Sequence, residues 1–135
     1  MSRAIFEVTG RRTAGGGTSI LHVYALSDDS WSESGITWVN APNLLGAADA
    51  KLTGVGTTAT PVGHLTFDGT QSTAAIDLTD YLRRHGAGTD NGVLTLAIVR
   101  EERFPGDADA NVVELFTSES PTSPPRLTLY TDATV

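Results

Sequence analysis

Both tryptophans of this chain fall in one short segment, Trp31-Ser-Glu-Ser-Gly-Ile-Thr-Trp38-Val-Asn-Ala-Pro42. A buried indole removes roughly 150 to 250 Å² from water and needs an acceptor for its N–H, whereas an exposed one offers a flat stacking face. Two so close together anchor one local structure. Glu33, Thr37 and Asn40 beside them are suited to satisfying backbone groups in a loop, so a plug at one end of the fold is the plainer role for both rings. His22, Tyr24, His64 and Tyr130 occupy alternating strand positions and are the candidates for a shared, concave ligand surface; the plainer reading of each histidine is satisfied packing. With three scattered histidines, no cysteine and no H-x-H or H-x-x-x-H spacing, a zinc or transition-metal site is disfavoured. Asp28-Asp29 and the pair Asp107 and Asp109 cluster oxygens as a structural calcium would require, but neither completes a calcium-binding loop, and solvated acidic turns are the default. Gly15-Gly16-Gly17 lacks the lysine and following helix of a phosphate loop, and no G-x-S-x-G elbow is present. No catalytic constellation emerges.

Arg11, Arg12, Arg83, Arg84, Arg100 and Arg103 are the concentrated basic residues. A guanidinium fork is suited to carboxylate or sulfate groups, although Arg83 and Arg84 equally complement the end of a helix. The formal charge of −7 disfavours partners bound through their own negative charge, nucleic acid and anionic membrane among them, unless a local basic patch intervenes. No stretch approaches the ~18 apolar residues of a membrane span. Met1-Ser2-Arg3 leads into mixed sequence with no signal-peptide core, so any export is expected to be directed by sequence outside this chain.

The elements that must position these residues are short strands. Ala4 to Thr9 alternates, with Ala4, Phe6 and Val8 on one face and Glu7 and Thr9 on the other. Arg11 and Arg12 are expected in a polar turn, and the three glycines break the chain before a second strand, Thr18 to Leu26. That strand is apolar on both faces, the pattern of an interior strand: Ile20, His22, Tyr24 and Leu26 line one side, and Leu21, Val23 and Ala25 the other. Asn43 to Pro61 reads as a long irregular connection. Further strands are expected over Val62 to Phe67, Thr73 to Leu78, Val93 to Arg100, Asn111 to Thr117 and Arg126 to Thr131, with Val93 to Arg100 central. Thr79 or Asp77 caps two helical turns that carry Leu78, Tyr81, Leu82 and His85 on one stripe, and Gly86 ends them. The whole predicts one all-β domain over residues 1–135, a jelly-roll-like β-sandwich with a single short helix.

The pattern W-x-E-x-x-I-T-W-x-N-x-P over Trp31 to Pro42 resembles the signature of bacterial DNRLRE-type domains. Asp77-Leu78-Thr79-Asp80-Tyr81-Leu82 is similar to that family's D-V-T-x-Y-V. Phe116, Ser118 and Glu119, followed by Pro125-Arg126-Leu127, are similar to its F-x-S-R-E and P-R-L. The resemblance implies a non-catalytic carbohydrate-binding module that targets a secreted polysaccharide lyase or hydrolase to its polymeric substrate. A structural spacer or assembly domain of a large cell-surface protein is the alternative it leaves. Either role places the chain outside the cell. Trp31 and Trp38 would then be candidate platforms for a pyranose ring, with Tyr24, His22, His64, Tyr130, Arg11 and Arg12 as the ligand surface. Glycosidase chemistry needs paired carboxylates roughly 5 to 9.5 Å apart, which Glu33 alone does not supply. Family domains carry further strands before the one that begins here at Ala4. An exposed edge is therefore expected on Ala4 to Thr9 or Thr18 to Leu26, open to association or completion by another segment.

Overall fold

The computed structural model describes residues 2–37, 40–43, 52–85, 93–100 and 112–131. Its elements, in chain order, are β1 (Arg3–Ala14), β2 (Ser19–Leu26), β3 (Ala59–Phe67), β4 (Ser72–Asp77), α1 (Thr79–His85), β5 (Thr95–Arg100), β6 (Val112–Leu115) and β7 (Arg126–Tyr130). Two antiparallel sheets result. In the first, β1 lies between β4 on one side and β6 and β7 on the other; the second has the order β3-β2-β5. The chain crosses between sheets at β1 to β2, β3 to β4, β4 to β5 and β5 to β6, so the core forms from residues distant in sequence. The protein is an all-β sandwich with one short helix.

Alternation explains which face each strand buries. Ala4 and Val8 of β1, Leu21, Val23 and Ala25 of β2, and Leu65 and Phe67 of β3 meet Ile76 in one buried cluster, with Phe6, Leu94, Leu96, Ile98 and Leu115 packed around it. Fully burying a side chain such as Phe67, Leu65 or Leu78 stabilises the fold by roughly 1.5 to 3 kcal/mol. The helix closes one end with the expected stripe: Leu78, Tyr81 and Leu82 are buried, and exposed His85 stacks on Tyr81 with ring centroids 4.4 Å apart. Of the two proposed caps, Asp77 acts. Asp77 accepts from the Thr79 N–H and hydroxyl, and the Thr79 oxygen accepts the buried Ala4 N–H at 3.0 Å, tying the helix to β1.

Several expectations change. Arg11 and Arg12 are not in a turn: β1 runs on to Ala14 and pairs with β6 through a register shift between Arg12 and Ala14. Gly10 permits that extension, since a Cβ there would lie 2.5 Å from the Glu114 carbonyl oxygen. The turn falls on the glycines instead, where Gly15 and Gly17 have φ of 93° and 69°. β3 starts earlier than expected, at Ala59, and admits Pro61 because it is an edge strand among the described strands, with a bulge at that point. β5 is an edge among the described strands rather than central. Its second apolar face, Ala97 and Val99, is half-buried on the outside of the sheet. β1 and β2, proposed as the exposed edges, are the middle strands: Ile5 to Glu7 pair with both β4 and β7, and Leu21 to Leu26 with both β3 and β5. The loop Asn43 to Pro61 is pinned where it is described, with Asn43 donating to Thr53 and Thr58 and accepting from the Thr53 N–H. Trp38, Arg103, Asp107, Asp109 and the Asn91-Gly92 turn lie outside the described residues.

Candidate functional site

Strand alternation sends every second residue of β2 away from the core. Leu21, Val23 and Ala25 point in, so Ile20, His22 and Tyr24 point out, and Ile20 is 37% exposed. The neighbours in register extend this row across the sheet. His22 stands opposite His64 on β3 and Val99 on β5; Tyr24 stands opposite Pro61 and Ala97; Ile20 stands opposite Thr66. The two imidazoles face one another with centroids 6.5 Å apart and planes tilted by 56°. His64 and Thr66 are exposed, and His22 and Tyr24 are half-buried. Three of the six sequence-proposed residues thus share one surface: an apolar floor carrying imidazole and phenol groups that both donate and accept hydrogen bonds.

The other three do not join them. Tyr130 is on β7 of the opposite sheet, in register with Arg3, whose guanidinium carbon lies 5.5 Å from the centre of the Tyr130 ring. Arg11 is exposed on β1 of that same sheet, cross-strand from Glu114. Arg12 is committed to structure, donating to the Gly15 carbonyl and, at 2.9 Å, to the Gly17 carbonyl, so it staples the glycine turn. Arg83 donates to the Ser2 carbonyl at 2.9 Å. Sequence alternation identifies which residues of a strand share a face but not which sheet the strand enters, so it does not separate Tyr130 from His22.

The tryptophan segment behaves as a built loop. The Asn40 side chain accepts from the Thr37 N–H at 2.6 Å and donates to the Gly35 carbonyl at 3.0 Å, while Ser32 accepts from the Gly35 and Ile36 N–H groups. Thr37 and Asn40 therefore satisfy backbone as expected; Ser32 takes the part expected of Glu33, which is exposed. Trp31 donates through Nε1 to Thr95 Oγ1 at 3.1 Å and is still 42% exposed. Asp28 accepts from the Ser30 hydroxyl and N–H, and these bonds hold its carboxyl below the usual carboxylate range. Among the described residues, no three His, Asp or Glu side chains come together as a metal site.

A comparison with curated proteins finds no match. The family model of carbohydrate-binding module family 96 matches residues 1–131, spanning both sheets, the helix and the tryptophan segment. The match covers nearly the whole chain, and the chain belongs to carbohydrate-binding module family 96.

Proposed function

We propose that the protein binds a polysaccharide through the outer face of the β3-β2-β5 sheet, with Tyr24, His22 and His64 as the contacting residues, and without catalysis of its own. The observation that carries the reading is the cross-strand row itself: three side chains with polar tips and flat rings, held by a middle strand and its neighbour, directed away from the core. A pyranose suits such a surface because its C–H faces stack on rings while its hydroxyls exchange hydrogen bonds with imidazole and phenol groups. A rigid sheet presents these groups at little conformational cost. The module's role is to hold a secreted polysaccharide lyase or hydrolase on its polymeric substrate, outside the cell. Tethering raises the effective concentration of the enzyme even where the module alone binds weakly.

Affinity electrophoresis in gels cast with neutral and acidic polysaccharides tests this. Wild-type protein is retarded by at least one polymer, and Tyr24→Ala and His64→Ala each reduce the retardation while Arg11→Ala does not. Migration unaffected by every polymer would leave a spacer domain as the better reading.

A further inference from the structure

β7 is an edge strand among the described strands, and its inward side chains stay in water. Leu127 and Leu129 stand opposite Phe6 and Ala4 of β1, so they point toward the core, yet they are 41% and 50% exposed. By contrast, Phe67 of β3, Ile76 of β4, Ile98 of β5 and Leu115 of β6 lie in the core or pack against it. The backbone of β7 is open on the same edge. On β1, the Ala4 N–H donates to Thr79 and its carbonyl accepts the Leu78 N–H, both on the β4 side. Hydrogen-bonding direction alternates along a strand, so Ile5 and Glu7 turn toward β7 and meet Thr128 and Arg126. The N–H and C=O groups of Leu127 and Leu129 therefore point away from β1. The usual guards of such an edge are missing: β7 has no proline, no bulge in its register with β1 and no inward charge, whereas β3 carries Pro61 and a bulge.

We propose that β7 pairs with β7 of a second copy of this chain, antiparallel and in a register centred on Thr128. The strand, Arg126-Leu127-Thr128-Leu129-Tyr130, is self-complementary in that register. Leu127 meets Leu129 of the second copy, and each such pair exchanges both of its N–H···O bonds. Residues opposite one another share a side of the sheet, so the leucines of both copies join in one inward apolar patch. On the other side Arg126 meets Tyr130 of the second copy, a ring already approached at 5.5 Å by Arg3 of its own chain. The one charge on β7 thus faces an aromatic ring and not its own kind. A register centred on Leu127 would set Leu129 against Pro125, which has no N–H to donate. Five residues a side fall short of the roughly 20 to 30 of a standard interface, so the pairing is weak and depends on concentration. Its two-fold axis stands perpendicular to the sheet, which leaves both β3-β2-β5 sheets on one side with their outer faces pointing the same way. A consequence follows that rests on the reading of this face as the glycan surface: the dimer engages one polymer through two rows and gains avidity.

Sedimentation velocity from about 5 µM to about 500 µM, the range in which a weak dimer forms, tests the pairing. The mass of wild type is expected to climb from monomer toward dimer. Leu129→Lys puts a charge on the inward side of the edge at an exposed position, so it keeps the fold and moves association to a concentration at least about tenfold higher. In hydrogen exchange, the Leu127 and Leu129 amides slow as wild type is concentrated, while those of β3 stay the same. A monomeric mass across the range would overturn the pairing. So would β7 amides protected equally at every concentration, since another part of this chain would then cover the edge. Association that Leu129→Lys leaves intact would place the interface elsewhere and overturn it as well. For avidity, Leu129→Lys is expected to lose retardation by a polysaccharide that retards wild type, while keeping its affinity for a short oligosaccharide of that polymer. A monomeric Leu129→Lys retarded as strongly as wild type would remove the avidity and leave the dimer standing. Wild type that dimerises but binds no glycan overturns the reading of the outer face alone.

Discussion

Thr79 is the residue on which most local structure depends. Its hydroxyl donates to Asp77 and accepts the N–H of fully buried Ala4, so one oxygen joins the helix start to the middle strand of a sheet. Thr79→Ala leaves that N–H without a partner, and a loss of roughly 1 to 3 kcal/mol is expected in urea unfolding. Thr79→Ser, which restores the oxygen, should recover most of it. Asp77 adds a pH dependence of definite sign. The Thr79 hydroxyl and N–H lower its folded-state pKa, and Arg3 and Arg83 add a smaller pull in the same direction. A depressed folded pKa contributes stability that is present above the unfolded value, near 3.9, and is lost as pH falls through the folded one. Thermal melts from neutral pH down to about pH 3 should therefore fall less steeply for Asp77→Asn than for wild type. At the glycan surface, Tyr24→Ala is expected to weaken polysaccharide binding more than Glu33→Gln, because Tyr24 lies in the cross-strand row and Glu33 outside it. A larger loss at Glu33 would move the site to the loop and reopen a catalytic role.

At the scale of elements, β1 organises one sheet and β2 the other, and β1 depends on a close approach that its sequence must permit. Gly10 is paired on both sides, with Ser72 and with Leu115, and an added Cβ would also come within 2.9 Å of Leu115 Cδ2 and 3.3 Å of the Phe67 ring. The obstructing carbonyl is backbone of β6, which cannot rotate aside as a side chain would. Gly10→Ala should therefore destabilise the protein by roughly 1 to 3 kcal/mol, as overpacking of a filled core does. A midpoint of urea unfolding equal to that of wild type would show that β6 is free to shift.

For the whole molecule, the middle position of β1 and β2 replaces the expected exposed edge with a prediction about exchange. Amides of β1 from Ile5 to Glu7 and of β2 from Leu21 to Leu26 belong to strands flanked on both sides, so they open only when a large part of a sheet does. Hydrogen exchange should be slowest there and faster in β3, β5, β6 and β7, each of which has one free edge among the described strands. Equal rates in β2 and β5 would contradict the strand order. Half-exposed Leu127 and Leu129 on β7 share the inward face with Ala4 and Phe6, which marks β7 as a weakly covered side of the sandwich.

Local signals in the sequence determined a good deal. Alternation set the core faces of β1, β2 and β5, the Asp77 carboxylate set the helix start, and its apolar stripe set the face that packs, because all three arise from chain geometry over a few residues. The motif at Trp31 to Pro42 likewise pointed to a carbohydrate-binding module. Partnership between strands is non-local, and only the tertiary structure decided it. Two apolar faces on β5 arise equally from a central strand and from an edge strand whose outer face is half-covered, so the sequence could not tell which. Tyr130 and Tyr24 are alike in type and strand setting, yet chain crossings between layers put them on opposite sheets. Arg12 was committed by a turn that brought the Gly15 and Gly17 carbonyls within reach of its guanidinium. Trp31 became both a hydrogen-bond donor to Thr95 and an exposed ring because the start of β5, more than sixty residues later in the chain, arrives within reach of its indole N–H.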